Sequence, residues 1–221
     1  GRTVEAPLPA LVRVRLFGEL APHSVSVTNA GRAPVRVRER GRRDTWLGPG
    51  AARPRAPGTS AGPGLLRLDV APYGLVRHVE GTIEASGPAD APRLVLSATP
   101  RAWVDGVVRG ELRGGPADLR EELAAAALRF LRRGRRHGAD DLCDSTHCAV
   151  FAGRGPAVSW VTPRRAVAPT RGPDAPLLDD DAWRRVLARA ARPGPALFPG
   201  HCGGAPRSPH AVWGGGPRAA A

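Results

Sequence analysis

The chain has 221 residues and a mass of 23.2 kDa, with 42% hydrophobic residues, 28 Gly, 24 Pro and three Cys. This suffices for one sizeable core with a loosely attached lobe, excludes disorder by composition, and leaves too few cysteines for a disulfide scaffold. The formal charge of +13 is carried by arginine alone, since no Lys occurs. Ala, Gly, Pro and Arg dominate everywhere, and no aromatic-rich RNA motif, finger spacing or recognition-helix pattern accompanies the charge. It therefore reads as a solvated cationic surface, with nucleic acid not an expected partner.

No run approaches the roughly 20 apolar residues of a membrane helix, so no membrane segment is expected in this chain. Met is also absent. Gly1 therefore reads as a processed or trimmed end, and the lack of a leader carries no weight against export.

Residues 1–97 form a strand-rich portion. VRVRL (12–16), HSVSVTN (23–29), PVRVRER (34–40), LLRLDV (65–70), GTIEAS (81–86) and PRLVLSA (92–98) each alternate apolar with polar residues between turn formers, as half-buried antiparallel strands require. Residues 48–64, GPGAARPRAPGTSAGPG, hold almost nothing a core could use and read as a flexible surface loop. From residue 98 to 221 the period changes. Thr99 and Pro100 can serve as helix cap and first helical residue, and Trp103, Val104, Val107, Val108, Glu111 and Leu112 then recur on one helical face. Gly114, Gly115 and Pro116 break that helix. Asp118 to Arg133 makes a second, with Leu119, Leu123, Ala126, Ala127, Phe130 and Leu131 on one side, acids early and arginines late. Asp179 to Arg192 predicts a third helix, and the remainder is loop-like. The expected class is α+β, with a strand-rich N-terminal portion, a helical catalytic segment and a loop-rich C-terminal portion.

Two places could carry chemistry. Glu111 follows Trp103 and Val107 at intervals of four, so its carboxyl emerges beside an apolar stripe. A carboxyl so placed suits general acid and then base work; the bland alternative is an end-of-helix glutamate reaching water. The second place is HGADDLCDSTHC (137–148). His137, Cys143, His147 and Cys148 supply the nitrogen and sulfur donors that tetrahedral zinc prefers, although H-x5-C-x3-H-C is not a standard finger. A turn at Asp144-Ser145-Thr146, closed by side-chain to backbone bonds, would bring adjacent His147 and Cys148 to one ion. A Cys143 to Cys148 disulfide, plain thiols and a Cys/His nucleophile using Cys148 or Cys202 remain as alternatives. His201, Cys202, Gly203 and Gly204 suggest a tight turn or a close backbone approach to a ligand. H-E-x-x-H, G-x-S-x-G, the Walker loop and the dinucleotide fingerprint are all absent.

Taken together, WVDGVVRGEL (103–112), the alanine-rich helix after it, CDSTHCAVFAG (143–153), FPGHCGG (198–204) and AVWGGG (211–216) resemble the SpoIID/LytB domain family of stage II sporulation protein D and the amidase enhancer LytB. The resemblance spans roughly residues 94–216. It implies a lytic transglycosylase acting on peptidoglycan glycan strands freed of stem peptides, or a non-catalytic wall-binding protein that stimulates a cell-wall amidase. Either would work outside the cytoplasm, in the cell envelope or periplasm. It assigns the catalytic glutamate to Glu111. One structural Zn2+ falls to the cluster holding Cys143, Asp144, His147 and Cys148, and a substrate-groove loop to Cys202, Gly203 and Gly204. The chain departs from the family pattern in its second helix, LAAAALRFL, where Phe130 stands in place of a tyrosine and no arginine matches. It departs again at Arg101, where a glutamate is usual.

Overall fold

The computed structural model describes residues 7–20, 22–54, 57–88, 90–112, 115–132, 140, 142–145, 148–154 and 176–192. Its strands are β1 (Val12–Leu16), β2 (Ser24–Asn29), β3 (Val35–Glu39), β4 (Thr45–Leu47), β5 (Ala52–Pro54), β6 (Thr59–Ala71), β7 (Leu75–Ser86), β8 (Arg93–Ala98) and β9 (Leu142–Cys143), and its helices α1 (Pro100–Glu111), α2 (Ala117–Leu131) and α3 (Asp180–Ala190). The class is α+β, as the change of period at residue 98 implies.

The strands form one sheet in the order β4-β3-β6-β7-β8-β1-β9, with β2 bonded to β6 and β5 bonded to β2. All pairings are antiparallel except β1 with β9. Alternation places the side chains: Val12, Val14 and Leu16 are buried to 2% or less, while Arg15 between them is exposed.

The expectation of a flexible loop over 48–64 is corrected. Residues 52–54 are β5, and Thr59 opens the 13-residue β6, with Thr59 6% and Ala61 1% exposed. Small residues bury here without a hydrophobic signature, because β6 bends. Its first three residues pair with β3 and its last six with β2. The register against β7 breaks between Ala61 and Gly64. Gly62 lies at φ +136 and Gly81 at φ +144; a Cβ on Gly62 would stand 2.6 Å from the Gly81 carbonyl oxygen, and one on Gly81 would stand 2.3 Å from that of Ser97. Only glycine tolerates both the conformation and the approach.

Helix α1 starts as the sequence predicts: Thr99 Oγ1 accepts the Ala102 N–H at 3.2 Å and Pro100 is its first residue. It differs from a one-faced amphipathic helix in that every residue from Ala102 to Val108 is buried. The sheet, α2 and two irregular segments, 149–153 and 177–178, surround it. Helix α3 docks on α2, where Arg185 donates twice to Glu121 Oε1 and Arg129 and Arg132 donate to the carbonyls of Arg189 and Ala190. The Arg185 hydrogen bond holds the Glu121 carboxyl below its ordinary pKa. Asp179 caps α3 by accepting the Ala182 N–H at 2.8 Å, which lowers its pKa in turn. One hydrophobic cluster takes in residues from β1 through α3. Among the described residues, no helix is long and apolar enough to cross a membrane.

Candidate active site

Glu111 is the last residue of α1 and is half-buried. Its Oε1 accepts the backbone N–H of Val150 at 2.8 Å. Among the described residues its second oxygen has no partner and the carboxylate has no ion pair. The more deeply buried carboxylates Asp105, Glu121, Asp140 and Asp144 each lie within ion-pair distance of an arginine. Glu111 is thus oriented by a neutral donor.

Two glycines on α1 make this anchor possible. A Cβ on Gly110 would stand 2.1 Å from the Val150 carbonyl oxygen, and one on Gly106 would stand 2.3 Å from the Phe151 ring. Residues 149–153 therefore lie directly against the helix backbone, and the Gly106 carbonyl accepts the Ala152 N–H at 2.9 Å. Each glycine costs about 1 kcal/mol of helix propensity relative to Ala. The close approach is what requires them. Glycine at positions 106 and 110, four apart and so on one face of the helix, was the available sequence signal for this close approach.

The CDSTHC turn enters the sheet through β9, next to Arg15 of β1. Cys143 and Cys148 come together: the Cys143 N–H points to Cys148 Sγ at 3.5 Å, and Cys143 Sγ lies 3.5 Å from Ser145 Oγ. The turn closes through the Cys148 N–H on the Ser145 carbonyl at 3.1 Å. Asp144 does not close it with a side-chain bond, contrary to expectation. Its carboxylate reaches across to accept the Phe17 N–H at 3.0 Å and to pair with Arg77. Arg77 stacks over the Phe17 ring, 4.5 Å from its centroid, and Phe17 itself sits at φ 57. Beyond Phe151, Gly153 (φ +74) lets the Arg154 N–H reach the His78 carbonyl at 2.7 Å. Residues 143–145 and 148–154 are thus stitched to β1, β7 and α1, and they carry Val150 to Glu111.

Two thiols on one turn, one accepting a backbone N–H, fit two positions of a tetrahedral zinc site. His137 and His147, the other proposed ligands, lie outside the described residues, as do His201, Cys202, Gly203 and Gly204. Among the described residues, no group of three metal-ligating side chains occurs.

One buried charge of α1, Asp105, escaped the sequence reading. Asp105, 2% exposed, accepts the N–H groups of Leu177 (2.9 and 3.0 Å) and Leu178 (3.2 Å) and faces Arg109 and Arg154. It tethers the approach to α3 and has no oxygen to spare. Arg101 is likewise engaged, with Asp180, the Leu178 carbonyl and the Trp183 ring. Comparison of the chain with family models, with curated proteins and with solved structures finds no match.

Proposed function

We propose that this chain is a lytic transglycosylase that cleaves the bond between N-acetylmuramic acid and N-acetylglucosamine in denuded peptidoglycan glycan, with Glu111 as its single acid and base. The observation that carries this reading is the placement of Glu111: a half-buried carboxyl, aimed by the Val150 N–H, free of any cationic partner among the described residues, and set beside the CDSTHC segment. The resemblance of WVDGVVRGEL and CDSTHCAVFAG to the SpoIID/LytB pattern supports it, because the glutamate of that pattern and the one singled out by its surroundings are the same residue.

The chemistry follows from one carboxyl. Glu111 protonates the glycosidic oxygen as the bond to the anomeric carbon breaks. The carboxylate then takes the proton of the sugar's C6 hydroxyl, whose oxygen closes on that carbon to leave a 1,6-anhydro end. Glycosidases that use water need two carboxyls. Asp105, the other acid of α1, is fully occupied by backbone amides, which favours the one-acid scheme. A zinc ion held by Cys143, Cys148, His137 and His147 would brace the turn rather than enter the reaction. The working place of such an enzyme is outside the cytoplasm.

Glu111→Gln tests the role. The amide oxygen can still accept the Val150 N–H, so the fold persists, whereas release of anhydro-sugars from denuded glycan is abolished. Undiminished product removes Glu111 from its role. Glu111→Ala, which strands the Val150 N–H, also loses about 1–3 kcal/mol of stability.

A second reading is a glycan-binding protein that stimulates a cell-wall amidase. It is favoured by Phe130, which has no hydroxyl where the resemblance expects a tyrosine and is 8% exposed. Amidase stimulation retained in Glu111→Gln, with no anhydro product from the wild type, would establish it.

A further inference from the structure

One rank of residues runs in register across the sheet, exposed at Arg38 and Arg15 and buried at Val95, 2% exposed. Arg38 is in register with Ser60, Ser60 with Glu84, Glu84 with Val95, Val95 with Arg15, and Arg15 with Cys143. Residues directly paired across strands share a face, so the rank crosses six strands, about 24 Å at a strand spacing of roughly 4.8 Å. Beside its Arg38 end lies Trp46, on edge strand β4 in register with Arg36 and 68% exposed, while the next residue, Leu47, turns into the core. Trp46 thus presents an exposed aromatic ring at the sheet edge, beside the groove described next.

Between these points the face is hollowed into a groove of about 530 Å3. Its lining includes four arginines (Arg13, Arg38, Arg40, Arg93) and three carboxylates (Glu39, Asp44, Glu84). Arg13 and Glu84 hold each other at 3.2 Å, and Arg93 pairs with buried Asp140. Such a lining offers fixed donors and fixed acceptors in nearly equal number. A polyphosphate would meet the carboxylates unfavourably. A sugar chain, whose hydroxyl and acetamido groups both donate and accept, finds partners for each, and its apolar ring faces can pack on an indole. Arg40 has no anionic partner among the described residues, so it can meet the sparse carboxylates of a muramic acid chain.

We infer that this groove is a docking track for an N-acetylated amino-sugar chain, entered from the Trp46 edge and running across the strands from Arg38 to Arg13. The inference rests on the proposed glycan reading and adds where the strand lies.

The test is calorimetric binding of soluble, peptide-free glycan oligomers to the whole chain, with Trp46→Ala and Arg40→Ala as separate variants. Trp46→Ala is expected to weaken binding about tenfold, the loss typical of one anchoring aromatic, at unchanged thermal stability. Arg40→Ala is expected to weaken binding of muramic acid oligomers but not of N-acetylglucosamine oligomers, which lack the carboxylate. Affinity should change little between about 50 and 200 mM salt. Wild-type affinity in both variants overturns the track, as does a steep fall with salt accompanied by equal binding of random duplex DNA. Cleavage is read separately in Glu111→Gln, which must bind glycan as the wild type does; the track and the catalytic role can therefore fail independently.

Discussion

Arg77 on β7 and Asp144 at the start of the CDSTHC turn form an ion pair in which each side chain is more than nine-tenths buried. Asp144 also receives the Phe17 N–H, and Arg77 covers the Phe17 ring. This triad fixes a phenylalanine in the left-handed region, a conformation that costs of order 1–3 kcal/mol unless its surroundings impose it. Removing the cation leaves a buried carboxylate uncompensated. Arg77→Ala should therefore lose about 3–5 kcal/mol in urea unfolding, while the Arg77→Ala, Asp144→Ala double variant loses less than the sum of the two single changes. Strict additivity would show that the pair is not coupled.

The close approach on α1 makes a prediction opposite in sign to helix propensity. Gly110→Ala gains about 1 kcal/mol of propensity, yet its Cβ meets the Val150 carbonyl, which cannot move aside as a side-chain end can. Net destabilisation of about 1–3 kcal/mol is expected, with reduced anhydro-sugar release because Val150 carries the donor to Glu111. Gly48→Ala is the control: nothing lies within 4 Å of its added Cβ, and stability should not fall. A Gly110→Ala protein as stable and active as the wild type would refute the close packing.

Acid sensitivity is expected from the junction of α2 and α3. Glu121, 5% exposed, has its carboxyl held below the ordinary value of 4.5 by the Arg185 hydrogen bond. Because the folded value lies below the unfolded one, the stabilisation is complete above the ordinary carboxylate range and is lost as pH falls through the depressed value. Glu121→Gln should thus cost stability at neutral pH, with the gap to wild type narrowing in melts below pH of about 4. A gap independent of pH would mean that Arg185 does not act through the charge of Glu121.

Metal content tests the brace proposed for the CDSTHC turn. Protein purified under reducing conditions should carry close to one zinc per chain, and the Cys143→Ser, Cys148→Ser double variant should lose it together with thermal stability. Protein that contains no zinc and melts as the double variant does would leave the two thiols as ordinary side chains of a turn.

Local chemistry in the sequence determined a large part of this molecule. Alternation marks β1, β2, β3 and β8 to within a residue or so, the Thr99-Pro100 pair starts α1, and Asp179 caps α3. Each of these depends on neighbours within a turn or a strand, so a periodic reading finds it. Tertiary structure alone decided the rest. Within the stretch 48–64, residues 52–54 and 59–64 became sheet because β3, β2 and a glycine bulge gave these small residues partners. Helix α1 became buried all round because 149–153 and 177–178 closed over it. Phe17 meets Asp144 across 127 residues. Contacts at such separations obey no local period, and the energies that select them, from buried ion pairs and backbone closeness at Gly106 and Gly110, exist only once the sheet has brought the segments together.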